Sequence, residues 1–175
     1  MIMCFFNAYI KIKILIISGS PRPRGNTKIA LDEMVKIFDQ EDIESEIEHV
    51  GNKDIRGCIA CISCKARLGH CVFDDCINAI DDQKFEEADG LVDGTLDYYG
   101  SVNATLVAFL TRLFYSTPFD KTMKVGASAV VARRGGISST YDEINKFFCY
   151  FRNANCFFTI LEFYSWKRNG RSKSR

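Results

Sequence analysis

The sequence has almost no net charge. Lysine and arginine number 23 against 22 aspartates and glutamates, a formal +1. No global field draws such a chain to nucleic acid or to a membrane surface. The one local excess is Lys167, Arg168, Arg171, Lys173 and Arg175, which reads as a solvated basic tail. Long apolar runs are missing too; nothing reaches the about 18 uncharged residues that a membrane span needs. Met1–Ile10 is apolar but carries no basic segment, which argues against a signal peptide. The expected location is cytoplasmic. Eight cysteines in such a chain point to reduced thiols or metal ligands, not to a disulfide framework. No repeat or low-complexity linker divides the 175 residues, so one domain is expected. Two phosphate-binding motifs are also absent. The first loop lacks Gly-x-Gly-x-x-Gly, and Gly25 is followed by Asn26 and Thr27 rather than by Lys and Ser or Thr, which leaves neither a dinucleotide grip nor a P-loop.

What is present is a strand, a polar turn and a helix start in one run. Ile14–Ile17 is short, uncharged and mostly β-branched, as suits a strand covered on both faces. Ser18–Asn26 is dense in Ser, Gly, Pro and Asn and must turn. From Thr27 to about Gln40, Leu31, Met34, Val35 and Phe38 recur at helical spacing. The unpaired N–H groups and positive end of that helix face the turn. Ser18, Ser20, Arg22, Arg24, Asn26 and Thr27 suit a single phosphate monoester held without metal, as in FMN. An ordinary helix cap at Asn26 or Thr27 explains the same residues.

Further along, Ile43–Glu48 alternates as an outer strand does. Gly57–Cys76 reads as a cysteine-rich loop, and Ile77–Ala88 holds a short helix. Asp89–Thr95 has the position of a central strand, and Tyr98–Ser101 of a turn. Ser101 is placed to cap a helix from Val102 to about Tyr115, with Leu106, Leu110, Leu113 and Phe114 on its buried side. Val125–Ala132 is another apolar strand. Arg133-Arg134-Gly135-Gly136 turns the chain into a helix starting near Ser139, and Phe157–Tyr164 reads as a last strand. Strands alternating with helices predict a doubly wound parallel α/β sheet. Ligands in such sheets sit beyond the carboxyl ends of the strands. Three loops lie there: Ser18–Thr27, Thr95–Ser101 and Ala132–Thr140.

With those loops placed, the chain resembles the NADPH-dependent FMN reductase-like group, and more narrowly the iron–sulfur flavoproteins. The likeness rests on Gly19-Ser20-Pro21-Arg22 with Gly25-Asn26-Thr27, on Gly57-Cys58-x-x-Cys61-x-x-Cys64 with Cys71, on Tyr98-Tyr99-Gly100-Ser101 and on Ala132-Arg133-Arg134-Gly135-Gly136. It implies a flavodoxin-like fold over residues 12–148, between an N-terminal extension of residues 1–11 and a divergent segment of residues 149–175. It also implies redox chemistry, bound FMN, NAD(P)H as a donor and a homo-oligomer. Carried over by residue, Ser18, Ser20, Arg22, Asn26 and Thr27 would surround the FMN phosphate. Tyr98, Tyr99, Gly100 and Ser101 would lie along the ring, and Ala132, Arg133, Gly135 and Gly136 would approach its other end.

Cys58, Cys61, Cys64 and Cys71 are spaced C-x2-C-x2-C-x6-C. That suits a cubane [4Fe–4S] cluster better than zinc, which more often takes two separated knuckles. Cys76 is a fifth candidate, and unmetallated thiols are the alternative. His70 reads as a surface residue; Cys4, Cys149 and Cys156 read as packed or terminal. FMN beside a cluster implies electron transfer between a two-electron small molecule and a one-electron carrier of ferredoxin type. The other readings are an NAD(P)H-dependent flavin or quinone reductase without a cluster, or a degenerate, non-catalytic relic. The stretch after Gly90 departs from the family pattern: the family's proline is absent, and two aspartates stand there. Asp93 stands where a covered strand expects an apolar side chain, and Asp97 would place a negative charge near the flavin.

Overall fold

The computed structural model describes residues 11–133, 135–150 and 160–164; for 160–164 only the backbone course is described. The sequence readings at Met1–Ile10, Cys4, Arg134, Cys156, residues 157–159 and the basic tail lie outside that set. Among the described residues six strands and five α-helices follow in order. They are β1 (Lys13–Ser18), α1 (Asn26–Gln40), β2 (Glu44–His49), α2 (Ser63–Ala66), α3 (Cys76–Ala79), β3 (Gly90–Tyr98), β4 (Ser101–Val102), α4 (Ala104–Ser116), β5 (Val125–Ala132), α5 (Ile137–Tyr150) and β6 (Ile160–Tyr164).

The long strands order as β2-β1-β3-β5-β6, all parallel. Leaving out the short β4, that is the 2-1-3-4-5 order of the flavodoxin-like doubly wound sheet. β1 and β3 are central and buried on both faces, as the apolar run of β1 and the position of β3 predicted. β2 is the edge: Glu44 and Glu46 face water while Ser45 and Ile47 are half-buried. On one face Leu15, Ile17, Leu91 and Val130 pack beneath Phe109, Leu110, Leu113, Ile144 and Phe148 of α4 and α5. On the other, Ile16, Val92 and Ala129 meet Leu31 of α1.

Three local readings change. β3 runs on to Tyr98 and turns back through Tyr99 and Gly100 into β4, so the expected turn is the tip of a hairpin. Ser101 therefore belongs to a strand, and Asn103 is the residue that precedes α4. Within 77–88 a single α-turn gives way to a π-helical stretch, Ile80–Phe85. The wider helical turn there brings Ile77, Ile80 and Phe85 to one buried side.

Candidate active site

The three expected loops do meet at the carboxyl edge of the sheet. The N–H of Gly19 donates to the carbonyl of Gly94 at 2.7 Å. The amide of Asn103 reaches the carbonyl of Gly19 at 2.5 Å, and its backbone N–H lies 3.4 Å from the hydroxyl of Thr95. Asn103 thus ties the first loop to β3 and to the start of α4. On the far side, a Cβ added to Gly136 would lie 3.1 Å from the Cα of Gly100, so the second and third loops touch.

Within the first loop Ser18, Ser20 and Thr27 are buried, while Arg22 and Asn26 are exposed. The Ser20 hydroxyl accepts from the N–H of Arg22 at 3.3 Å, which closes the turn. Gly25 precedes α1, and no side chain caps the helix. The helix cap at Asn26 or Thr27, the alternative reading of the loop, is therefore not formed. The first-turn N–H groups are left to face the loop, the donor set that a phosphate monoester fits. The loop is braced from behind. The Ser18 carbonyl accepts from Val50 and Gly51, and the ring Nε2 of His49 lies 2.7 Å from the Ser20 carbonyl.

At the second loop Tyr98 is half exposed and Tyr99 fully so, with Tyr99 at φ 58° and Gly100 at φ 75°. Two consecutive left-handed residues match the twist of a tight hairpin, but a tyrosine there is strained. The Ser101 hydroxyl and the Val102 N–H both donate to Glu143, each at 2.8 Å. Asp97 accepts from the Thr140 hydroxyl at 2.6 Å, so its carboxylate is turned towards the start of α5. Ala132 is buried, and Arg133 and Gly135 are exposed.

A buried carboxyl at the sheet has no such partner. Asp93 is 0 % exposed in the middle of β3, and neither carboxylate oxygen is hydrogen-bonded. Burial pushes its carboxyl well above the usual carboxylate range. Its neighbour across the β3–β5 ladder is Ser128, whose hydroxyl is also buried and unpartnered.

Cys58, Cys61, Cys64 and Cys71 line one small pocket that opens to solvent. Cys58 and Cys61 are exposed, Cys64 is buried and Cys71 is half-buried. Cys76 heads α3 and is not among the lining residues; burial pushes its thiol up. Hydrogen bonds from Ser63 hold the Cys61 thiol below its ordinary value. The segment between the cysteines takes left-handed backbone at Ala60 (φ 54°), Ile62 (φ 62°) and Leu68 (φ 53°). A β-branched residue such as Ile62 rarely accepts that geometry, and such strain gathers at functional loops. The thiols line the pocket without converging. Among the described residues, no three His, Cys, Asp or Glu side chains form a group that could hold a single metal ion. Among the same residues, no helix is long and apolar enough to cross a membrane.

Several supporting residues had weak sequence signals or none. Asn103 was masked by Ser101 two residues earlier, another capping residue type. Arg112 is 1 % exposed; the signal was a charge interrupting the apolar stripe of α4. Gly51, His49, Thr140 and Glu143 gave none.

Three comparisons bear on this geometry. A family model described as NADPH-dependent FMN reductase matches residues 12–157. An iron–sulfur flavoprotein of Methanocaldococcus jannaschii is 36% identical over 143 residues, covering 78% of this chain and 72% of that protein. One from Methanosarcina thermophila is 30% identical over 138 residues, covering 77% and 71%. Among solved structures, an NAD(P)H:quinone oxidoreductase from Methanothermobacter marburgensis superposes with a TM-score of 0.64 at 10% identity, over 91% of this chain and 87% of that one. At that identity the likeness concerns the fold alone. The family model spans most of the chain and all three loops, and the chain therefore belongs to the NADPH-dependent FMN reductase family, as an FMN-dependent oxidoreductase with a flavodoxin-like fold.

Proposed function

We propose that this protein is an iron–sulfur flavoprotein, holding FMN at the carboxyl edge of its sheet and a [4Fe–4S] cluster in the cysteine pocket. The observation that carries the reading is the shared pocket. Four cysteines from one segment, in the C-x2-C-x2-C-x6-C spacing and with Cys64 on α2, line a single pocket. Two relatives that are named iron–sulfur flavoproteins support it. A cubane takes four thiolates, and binding would draw together thiols that now line the pocket without converging.

The uncapped start of α1 would hold the FMN phosphate, with Ser20 and Thr27 beside it and Arg22 and Arg24 adding positive charge. Tyr98, Tyr99 and Gly100 would lie along the ring. Gly135 and Gly136 bear no side chain, so backbone N–H groups there could come close to ring oxygens. FMN supplies two-electron chemistry with single-electron release, and the cluster handles one electron at a time. The pair suits exchange between NAD(P)H, or a reducible small molecule, and a one-electron carrier of ferredoxin type. Cytoplasmic location and a homo-oligomer belong to the same reading. No side chain need act as nucleophile or general base.

Anaerobic reductive titration tests this pairing. Holoprotein loaded with FMN should accept about three electrons per chain, two on the flavin and one on the cluster. An end point of about two, with the flavin bands alone bleaching, is the result for a plain flavin reductase.

A further inference from the structure

Arg112 has no part in the reading above, yet it is the largest side chain buried in the described residues. Its five N–H donors are matched by five acceptors. Nε donates to the Cys71 sulfur at 3.3 Å. Nη1 donates to the Arg56 carbonyl at 3.2 Å and to one Asp75 oxygen at 2.5 Å. Nη2 donates to the Phe73 carbonyl at 3.3 Å and to the other Asp75 oxygen at 3.1 Å. The guanidinium also stacks on the Phe73 ring, 5.1 Å from its centroid. Arg56 stands before the first pocket cysteine, and residues 71–75 hold and follow the last. One fork on α4 therefore clamps both ends of the cysteine segment. Asn78 completes the frame around Cys71, accepting from its N–H at 2.9 Å and donating to its carbonyl at 3.2 Å.

We propose that Arg112 is a positioning residue for the cysteine pocket: it fixes Cys71 in place through an N–H···S bond and sets the reduction potential of a cluster bound there. The proposal deepens the cluster reading and rests on it for the potential. Hydrogen bonds to ligating sulfurs and their fixed surroundings set cluster potentials. The charge of Arg112 is balanced by the bidentate Asp75, so the directed N–H, not net charge, is the lever. Lysine lacks the fork and cannot serve residue 56 and residues 71–75 together.

The test compares wild type, Arg112→Lys and Asp75→Asn, each checked for native circular dichroism. In cluster-free protein held anaerobically, iodoacetamide labelling is followed at each cysteine by mass spectrometry. Cys71 should react roughly tenfold faster or more in both variants, a small part of what unpairing a buried ion pair releases. Exposed Cys149 serves as the unchanged reference. In reconstituted protein, Arg112→Lys should lower the cluster's reduction potential and leave that of FMN unmoved. A purely structural role would reduce cluster content and leave the potential of the remainder where it was, which overturns the tuning claim. Unchanged Cys71 labelling in both variants overturns the clamp. Failure of wild type to take up iron instead contradicts the cluster reading, and the labelling still decides the clamp. Should Arg112→Lys not fold, Asp75→Glu, which keeps both charges and displaces the fork, decides by the same two readouts.

Discussion

Replacing Asp93 with Val should raise the stability of the protein by about 2–5 kcal/mol, the cost of burying an unpaired carboxyl in an apolar site. The two side chains are similar in volume, so the packing under α4 is kept. The gain should depend on pH, and its sign is fixed by the direction of the shift. Burial raises the Asp93 pKa in the folded protein, whereas the unfolded chain ionises near the ordinary value of about 3.9. Below that value both states are protonated and the carboxyl adds no pH dependence. Above it the unfolded state gains by ionising while the folded state stays neutral, so wild type loses stability as pH rises towards the folded pKa. Urea unfolding at pH 3 and pH 7 (roughly one unit below and three above that unfolded value) measures both effects. Asp93→Val should be more stable at both and gain most at pH 7. Equal gains at the two values would mean that Asp93 ionises alike in both states.

The second large effect is expected at Gly51. A Cβ there would stand 2.2 Å from the carbonyl oxygen of Ser20 and 2.4 Å from that of Gly19. Both obstacles are backbone of the phosphate loop, so nothing flexible can swing aside. Gly51→Ala must displace the loop, and a displacement of about 1 Å at a binding constellation costs about a hundredfold. FMN affinity should fall by about that factor, and riboflavin, which lacks the phosphate, should lose much less. Gly57→Ala is the control, because nothing lies within 4 Å of its added Cβ. Equal losses of FMN and riboflavin would place the phosphate elsewhere.

The parts of this molecule that could be read from the chain are those in which one local signal decides. Ile14–Ile17 is uncharged and uninterrupted because β1 is covered on both faces. Asp93 stood out for the same reason: on a strand buried throughout, a carboxylate has no exposed side to take. The spacing of the cysteines predicted a common site, and the structure sets four of them around one pocket. The illegible parts depend on contacts distant in sequence. Asp97 read as a charge beside the flavin; its hydroxyl partner Thr140, 43 residues away, could not be read. Ser101 read as a cap, yet Glu143, 42 residues on, takes its hydroxyl. Gly51 gave no signal because its neighbour is the backbone of residues 19 and 20, brought there by parallel pairing of β1 and β2. Arg112 could be seen as a charge out of place, but its five partners lie in residues 56–75.

The central claim is that the cysteine pocket holds an iron–sulfur cluster beside an independent flavin site. Iron and acid-labile sulfide per chain, measured after anaerobic reconstitution, test it most directly. The account predicts about four of each in wild type. Cys58→Ala, Cys61→Ala and Cys64→Ala should each lose them and retain FMN, since the phosphate loop belongs to another segment. Cys71→Ala should lose them as well, because Cys76 does not line the pocket. One equivalent of zinc, or a colourless wild type whose pocket thiols all remain free to react, would contradict it.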